Sequence, residues 1–267
     1  MENSARIREL AGWPLDEDEY RPATYDRSKQ SCAQQLVSRR APFEHSSALL
    51  KDETAAVQHL LAPHASRPDL LAEMASLTWS LGVVDLRMLI AFQRRIAFNS
   101  SPVTSPTPTI HDWPALAAIS FGAAKPPQYE MIRKSGANTI VLRSHNPNLS
   151  LCFSDNRWSP VSVHAGSPFF EVAQYRDRWF LRDGYHRAYD LLQTNIFQTP
   201  AVIVYARTLA ELGATQPRFF NEETLLSATP PRVIDFLDDA LVLEYNRPLL
   251  IKTVSVTIEE SLTPLTS

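Results

Sequence analysis

The fold is decided by the stretch RWFLRDGYHRAYDLL, residues Arg178–Leu192. Trp179, Phe180 and Leu181 are bulky and apolar, which predicts the end of a strand. Asp183 is predicted to be the N-cap of a helix, because a carboxylate there accepts hydrogen bonds from first-turn N–H groups. Gly184 allows an unusual dihedral or a close backbone approach at this corner. The buried face of the helix is predicted to repeat every three or four residues, at Tyr185, Ala188 and Leu192.

Two side chains that can carry positive charge, His186 and Arg187, fall in the first turn of this helix. A helix N-terminus is already partly positive, so cations there are unfavourable unless an anion offsets them. Backbone N–H groups, a guanidinium and an imidazole together favour a bound phosphate. The alternative is a structural ion pair between Asp183 and Arg187, which are four residues apart, with no ligand.

The segments on either side of this stretch predict an α+β arrangement. Phe169–Arg182 alternates around Arg176–Asp177 and predicts a hairpin. Ala201–Tyr205 is a continuous apolar run after Pro200, which is typical of a buried strand beside that hairpin. A hairpin, a helix and a buried strand in this order belong to the α+β class.

Residues 1–98 are predicted to form a mainly helical N-terminal region. The clearest helical stretch is Leu70–Phe98, and apolar residues surround its central part, Leu77–Phe92. A helix that is apolar on most faces is buried inside its domain. Residues 99–109 combine three prolines with Ser and Thr, so they predict a linker.

The remaining chain is predicted to divide into two parts. Residues 110–215 form a small α+β domain, and residues 216–267 form an acidic C-terminal part with short helices and a strand. From residue 207 onward there are five basic and nine acidic residues, which disfavours a DNA-reading helix-turn-helix.

Composition excludes several classes of protein. The 267 residues include 26 Lys and Arg against 29 Asp and Glu, so no global basic field for DNA exists. No two of the seven glycines lie within five residues of each other, which excludes a dinucleotide fingerprint, a P-loop and a nucleophile elbow. With only Cys32 and Cys152, a cysteine zinc site and a disulfide scaffold are not expected. We expect a cytoplasmic protein with no signal peptide, no membrane span and no metal site built from protein ligands alone.

Residues 164–206 resemble the core of the ParB/sulfiredoxin-like superfamily. The shared pattern is a Pro-led strand, a second strand, a turn of the form Asp/Gly-Gly-x-His/Glu-Arg, a helix and a Pro-led apolar strand. The resemblance implies a small mixed-sheet domain whose turn faces nucleotide phosphates, with ATP or CTP and Mg²⁺ as the expected cofactors. The ligand-binding residues that it implies are Arg182, Gly184, His186 and Arg187. The catalytic residues that it implies are Glu171, Asp183 and His186.

This sequence departs from the superfamily pattern at two positions. Tyr185 stands where sulfiredoxins have their reactive Cys, which disfavours sulfinic-acid reduction. His186 stands where partition proteins that bind CTP have an acidic residue. The turn is most similar to that of the ParB-like free-serine kinases, which also need a carboxylate base, for which Glu130 and Glu171 are the candidates.

These features predict a protein that binds a nucleotide or another phosphorylated small molecule. Phosphotransfer or nucleotide hydrolysis is the enzymatic version of that function. The alternatives are a non-catalytic interaction module for protein or nucleic acid on the same fold, and a nuclease-like activity. The sequence leaves open whether the protein is an enzyme.

Overall fold

The computed structural model describes residues 4–44, 46–99, 108–123, 126–133, 138–146, 149–153, 161–216, 218–257 and 259. The chain divides into two compact units. Unit 1 comprises Met1–Ala123 and Pro168–Pro248. Unit 2 comprises Ala124–Ser167 and Leu249–Ser267, so one of its segments is inserted into the chain of unit 1.

Strands and helices are interspersed along the described chain. The strands are β1 (Ser4–Leu10), β2 (Leu49–Leu50), β3 (Trp79–Asp85), β4 (Ile90–Ala91), β5 (Arg95–Asn99), β6 (Glu130–Arg133), β7 (Thr139–Ser144), β8 (Leu149–Phe153), β9 (Val161–Ala165), β10 (Glu171–Tyr175), β11 (Arg178–Asp183), β12 (Gln198–Tyr205), β13 (Val242–Pro248) and β14 (Lys252–Thr257). The helices are α1 (Arg27–Ser38), α2 (Lys51–Ala56), α3 (Gln58–Ala65), α4 (Pro68–Glu73), α5 (Trp113–Ser120), α6 (Tyr185–Gln193), α7 (Leu209–Leu212) and α8 (Glu222–Leu225). Short 3-10 turns occur at Leu86–Met88 and Val233–Leu237.

Unit 1 is built on two sheets. The larger sheet has the strand order β2-β3-β12-β10-β11-β4, and the smaller has the order β13-β1-β5. Unit 2 contains the sheet β14-β7-β6 and the pair β8-β9. The mixture of several sheets with helices confirms the α+β class.

The predicted hairpin and its neighbouring strand are confirmed. Strands β10 and β11 pair antiparallel around Arg176 and Asp177, whose φ angles of 47° and 61° are those of a tight hairpin turn. Strand β12 pairs parallel with β10, and it lies at the centre of the sheet with most of its residues buried. The continuous apolar run of β12 is therefore explained by burial on both faces.

The prediction of a mainly helical N-terminal region at residues 1–98 is wrong. This region supplies strands to both sheets of unit 1, and the expected helix at Leu77–Phe92 is instead β3, a 3-10 turn and β4. Strand β3 lies between β2 and β12, and its last four residues, 82–85, are all buried, so both of its faces are covered there. A short apolar run without alternation fits a buried helix and a buried strand equally, and Gly82 beside Val83 and Val84 favours the strand.

The divisions between the two units differ from the predicted domain boundaries. They fall at residues 123/124, 167/168 and 248/249, so the segments 1–98, 110–215 and 216–267 do not coincide with them. The expected small domain at 110–215 includes the inserted segment of unit 2, and its sheet takes β2, β3 and β4 from the N-terminal region. Most of the predicted linker, residues 100–107, lies outside the described residues.

Unit 1 has a continuous apolar core. Phe169, Phe170 and Phe180 are fully buried there and lie on or next to the β10–β11 hairpin. None of the helices in the described ranges is long and apolar enough to cross a membrane.

A buried network of charges covers one face of the smaller sheet. Glu9 on β1 is fully buried and accepts hydrogen bonds from Arg21, at 2.6 and 2.9 Å, and from the Tyr245 hydroxyl, at 2.9 Å. Arg95 on β5 lies 2.7 Å from Glu9 and also bonds Asp16. Arg21 reaches Asp16 at 2.9 Å. The loop that carries Asp16 and Arg21 is thus held against the sheet by mutually compensating charges.

The Asp16 carboxylate contributes to stability in a pH-dependent way. Burial tends to raise its pKa, but hydrogen bonds and charge from Arg95 and Arg21 outweigh burial, so the pKa lies below the ordinary value of 3.8. A carboxyl with a depressed folded-state pKa stabilises the protein above its unfolded pKa, and this contribution disappears as the pH falls through the folded pKa.

We expect Asp16→Asn to lower the free energy of unfolding at pH 7 by about 2–3 kcal/mol, because it removes one of the carboxylates that Arg21 and Arg95 bind in this buried network. The variant should also lose less stability than the wild type on acidification below pH 4. Urea unfolding between pH 7 and pH 2 measures both effects, with the exposed turn residue Asp177, replaced by Asn, as control. Equal pH profiles for Asp16→Asn and the wild type would contradict the account.

Candidate functional site at the start of helix α6

The corner between β11 and α6 is formed by a glycine in the left-handed conformation. Gly184 has φ 101° and ψ 25°, and it is the N-cap of α6. A Cβ at this position would lie 2.7 Å from the Phe170 ring, so both conformation and space require glycine. The prediction that Asp183 is the N-cap is therefore wrong, since the strand continues through Asp183 and the left-handed residue makes the turn. The predicted role of Gly184 at the corner is confirmed.

Arg187 is committed to the main chain. Its Nη1 donates to the carbonyl oxygens of Pro168 at 2.8 Å and Ile119 at 3.2 Å, and its Nη2 donates to that of Phe169 at 2.7 Å. Burial lowers the pKa of the guanidinium, while Asp183 and Glu171 act in the opposite direction. Both terminal nitrogens of the guanidinium are therefore bonded to the main chain.

The carbonyls that Arg187 binds lie where the chain leaves unit 1 and returns to it. Ile119 is near the end of α5, whereas Pro168 and Phe169 are the first residues of the returning segment. Arg67 also binds main-chain carbonyls at this place. It donates to those of Phe121 and Gly122, and its guanidinium lies over the Phe169 ring at 4.9 Å. The two arginines fix both ends of the insertion point.

Glu171 and Arg182 form a buried pair next to the corner. Only 1% of the Glu171 side chain is exposed, and Oε2 accepts a hydrogen bond from Arg182 Nη1. A β-bulge brings them together, because the pairing passes from Glu171–Asp183 to Val172–Leu181 and leaves Arg182 as the extra residue. Glu171 Oε1 and Arg182 Nε are buried without a hydrogen-bond partner.

Asp183 and Arg187 approach as the structural alternative predicts, with Oδ1 3.7 Å from Nη2. The predicted catalytic residues Glu171, Asp183 and His186 thus lie within one corner of unit 1. The other candidate base, Glu130, belongs to unit 2 and is exposed on β6.

His186 is the exposed member of the motif. Its Nε2 donates to the carbonyl oxygen of Ala97 on β5 at 2.8 Å, which leaves Nδ1 directed away from that bond. The imidazole stands edge-on to the Phe98 ring, with centroids 5.6 Å apart. His186 therefore joins the start of α6 to the smaller sheet.

A further cation near this corner was missed by the sequence analysis. Arg6 on β1 is exposed, and its guanidinium lies over the same Phe98 ring at 5.0 Å. Among the described residues, the Arg6 side chain has no hydrogen bond and no ion pair, although its charge also acts on the Tyr189 hydroxyl. Its neighbour on the same strand, Arg8, is paired with Asp239 at 2.7 Å and with Glu244. The polar–apolar alternation of Arg6, Ile7 and Arg8 is typical of a strand. It does not indicate that this strand lies near α6.

Tyr185 supports the corner from inside the core. Its hydroxyl accepts hydrogen bonds from the main-chain N–H groups of Phe92, at 3.0 Å, and Gln93, at 3.1 Å. It donates to the Leu181 carbonyl at 3.0 Å, and burial raises its pKa. The residue in the position of the sulfiredoxin cysteine is therefore a buried structural tyrosine.

Among the described residues, no group of three His, Cys, Asp or Glu side chains is arranged to hold a metal ion. No protein-family model, curated protein or solved structure matches this chain. The ParB/sulfiredoxin-like assignment stays a prediction that rests on residues 164–206.

We expect Gly184→Ala to lower the free energy of unfolding by at least about 2 kcal/mol, because alanine is strained at this φ and collides with Phe170. Gly122→Ala is a matched control, since a Cβ there meets only ordinary contacts at 3.7 and 3.8 Å. Chemical denaturation compares the two variants. Equal stabilities would show that the left-handed corner is not required.

We expect Arg187→Ala and Arg187→Lys each to lower the free energy of unfolding by about 2–4 kcal/mol, since three carbonyl acceptors lose their donor. Lysine keeps the charge but lacks the planar fork that reaches all three oxygens. Arg207→Ala, at a side chain 74% exposed, is the control. Wild-type stability of Arg187→Lys would contradict the structural role.

Proposed function

We propose that this protein binds the phosphate group of a nucleotide at the start of α6. The observation that carries the proposal is the left-handed Gly184 followed directly by the right-handed helix. A left-handed residue next to a right-handed one turns successive N–H groups toward a common point and forms an anion-binding concavity. The partial positive charge of the helix N-terminus adds to the attraction.

The side chains that support the proposal are His186 and Arg6. The pairs Glu171–Arg182 and Asp183–Arg187 each balance their own charge, so they contribute little net field to an anion. His186 and Arg6 are exposed and contact the same Phe98 ring, so a ligand at the start of α6 has two cation-capable groups within reach. Arg187 holds the site in place and is not itself a phosphate ligand.

A Mg²⁺ ion that accompanies the nucleotide fits the same corner. Mg²⁺ in nucleotide sites uses one or two carboxylates together with phosphate oxygens. Asp183 is 35% exposed and is the accessible carboxylate there, whereas Glu171 is buried.

We propose nucleotide binding and not catalysis. A general base must reach the proton that it removes, and Glu171 is buried and bonded to Arg182. Phosphotransfer or hydrolysis through Glu171 would first require that pair to separate.

Isothermal titration calorimetry of the full chain with ATP and CTP, with and without Mg²⁺, tests the proposal. Arg6→Ala and His186→Gln should each weaken nucleotide binding about tenfold, the equivalent of about 1.4 kcal/mol. Arg39→Ala, which removes an exposed arginine at the end of α1, should leave the affinity unchanged. A nucleotide at 100 times its Kd should also stabilise the fold by about 2.7 kcal/mol.

Two results would overturn the proposal. The first is an absence of heat and of thermal stabilisation with either nucleotide. The second is nucleotide binding in which Arg6→Ala and His186→Gln have the affinity of Arg39→Ala, because the ligand would then lie elsewhere.

A further inference from the structure

Unit 2 has a cavity of its own, of about 470 Å³. This volume lies in the range of small-molecule sites, roughly 300–1,000 Å³. The cavity is open to solvent at the end of the sheet β14-β7-β6. The lining side chains used below are Tyr129, Glu130, Arg143, Ser144, His145 and Ile251.

One residue of the lining is a buried serine with fixed hydrogen bonds. Ser144, at the end of β7, donates from Oγ to the Gln128 carbonyl oxygen at 2.6 Å and accepts from the Asn146 main-chain N–H at 3.1 Å. These bonds tie the approach to β6 to the turn after β7. The residues that flank Ser144 are therefore held in place around the opening.

Two opposite charges line this cavity without forming an ion pair. Glu130 and Arg143 are direct cross-strand partners in the β6–β7 ladder, so their side chains lie on one face of the sheet. Directly opposed charges on neighbouring strands attract each other. In the part of the chain that the structure describes, however, neither side chain has an ion-pair or hydrogen-bond partner, and the same is true of His145.

Two residues of the lining, Tyr129 and Ile251, have large apolar side chains. Tyr129 and Ile251 are 41% and 46% exposed, and they are among the most exposed large apolar side chains of the described residues. The cavity therefore combines exposed apolar surface with the charged side chains of Glu130 and Arg143. A ligand that fits it has an apolar group, a positive charge and a negative charge.

We propose that this cavity binds a free α-amino acid with an apolar side chain. The carboxylate of the ligand bonds Arg143, with His145 beside it, and its ammonium bonds Glu130. The apolar side chain lies against Tyr129 and Ile251. A phosphate or a simple anion is disfavoured, because Glu130 would repel it. The proposal rests on unit 2 alone and is independent of nucleotide binding at α6.

The test is calorimetric titration of the full chain with L-leucine and L-phenylalanine as probes. L-Serine is expected to bind more weakly, since it lacks the apolar side chain. N-Acetyl-L-leucine and L-leucinamide, which lack the ammonium and the carboxylate respectively, should bind at least tenfold more weakly than L-leucine.

Variants of the two charges give the matched comparison. Arg143→Gln and Glu130→Gln should each weaken L-leucine binding at least tenfold, and Glu130→Gln should reduce the preference for L-leucine over its N-acetyl derivative. Arg133→Ala, on the same exposed strand β6 but outside the cavity lining, should bind as the wild type does. Since all three positions are exposed, thermal melts of the variants should match the wild type.

The proposal is overturned if neither L-leucine nor L-phenylalanine binds. It is also overturned if N-acetyl-L-leucine binds as well as L-leucine, or if Arg143→Gln binds like Arg133→Ala. None of these results bears on the nucleotide experiments, because those variants lie in unit 1.

Discussion

The guanidinium of Arg187 and the three carbonyl oxygens that it binds are the contact on which the organisation of unit 1 depends. The chain leaves unit 1 after α5 and returns at Pro168, and the interruption would separate the hairpin β10–β11 from the elements before it. Arg187 joins Ile119, Pro168 and Phe169 to the first turn of α6. The Phe170 N–H to Ser120 carbonyl bond, at 2.8 Å, adds main-chain pairing at the same place. The insertion of unit 2 is thus accommodated by a side chain whose two terminal nitrogens both bond the main chain of unit 1.

The bonds of Arg187 to main-chain carbonyls change the role expected for the motif that begins α6. An arginine in a first helical turn is unfavourable unless acceptors offset its charge, and here main-chain carbonyls with their partial negative charge do so. The phosphate binding that we propose would then depend on the backbone at Gly184 and on groups outside the motif. His186 and Arg6 meet at Phe98, so a ligand at α6 would bring the smaller sheet into contact with the site. The ion pairs Glu171–Arg182 and Asp183–Arg187 keep the net electrostatic field at the corner weak. We therefore expect hydrogen bonds from main-chain N–H groups, more than attraction by net charge, to hold a phosphate there.

The sequence predicted the parts of the fold whose signals are local. The hairpin β10–β11, the corner at Gly184 and the buried strand β12 follow from alternation, glycine chemistry and a continuous apolar run. The strand β3 did not follow, because burial on both faces removes the alternation that distinguishes a strand from a buried helix. The partners of Arg187 could not be predicted either, since Ile119 is 68 residues away in the chain and main-chain carbonyls leave no trace in a sequence. Arg6, from the first strand, was missed because only sheet topology brings β1 next to β5 and α6.

The central claim is that the phosphate of a ligand is held by the backbone at the start of α6 while Arg187 holds the fold. The most direct measurement is a ¹H–¹⁵N correlation spectrum of the full chain during titration with ATP. The account predicts that the amide resonances of Gly184, Tyr185 and His186 shift the most, and that the guanidinium resonance of Arg187 keeps its position. Large shifts of the Arg187 side chain with unchanged amides at 184–186, or an unchanged spectrum throughout, would contradict it.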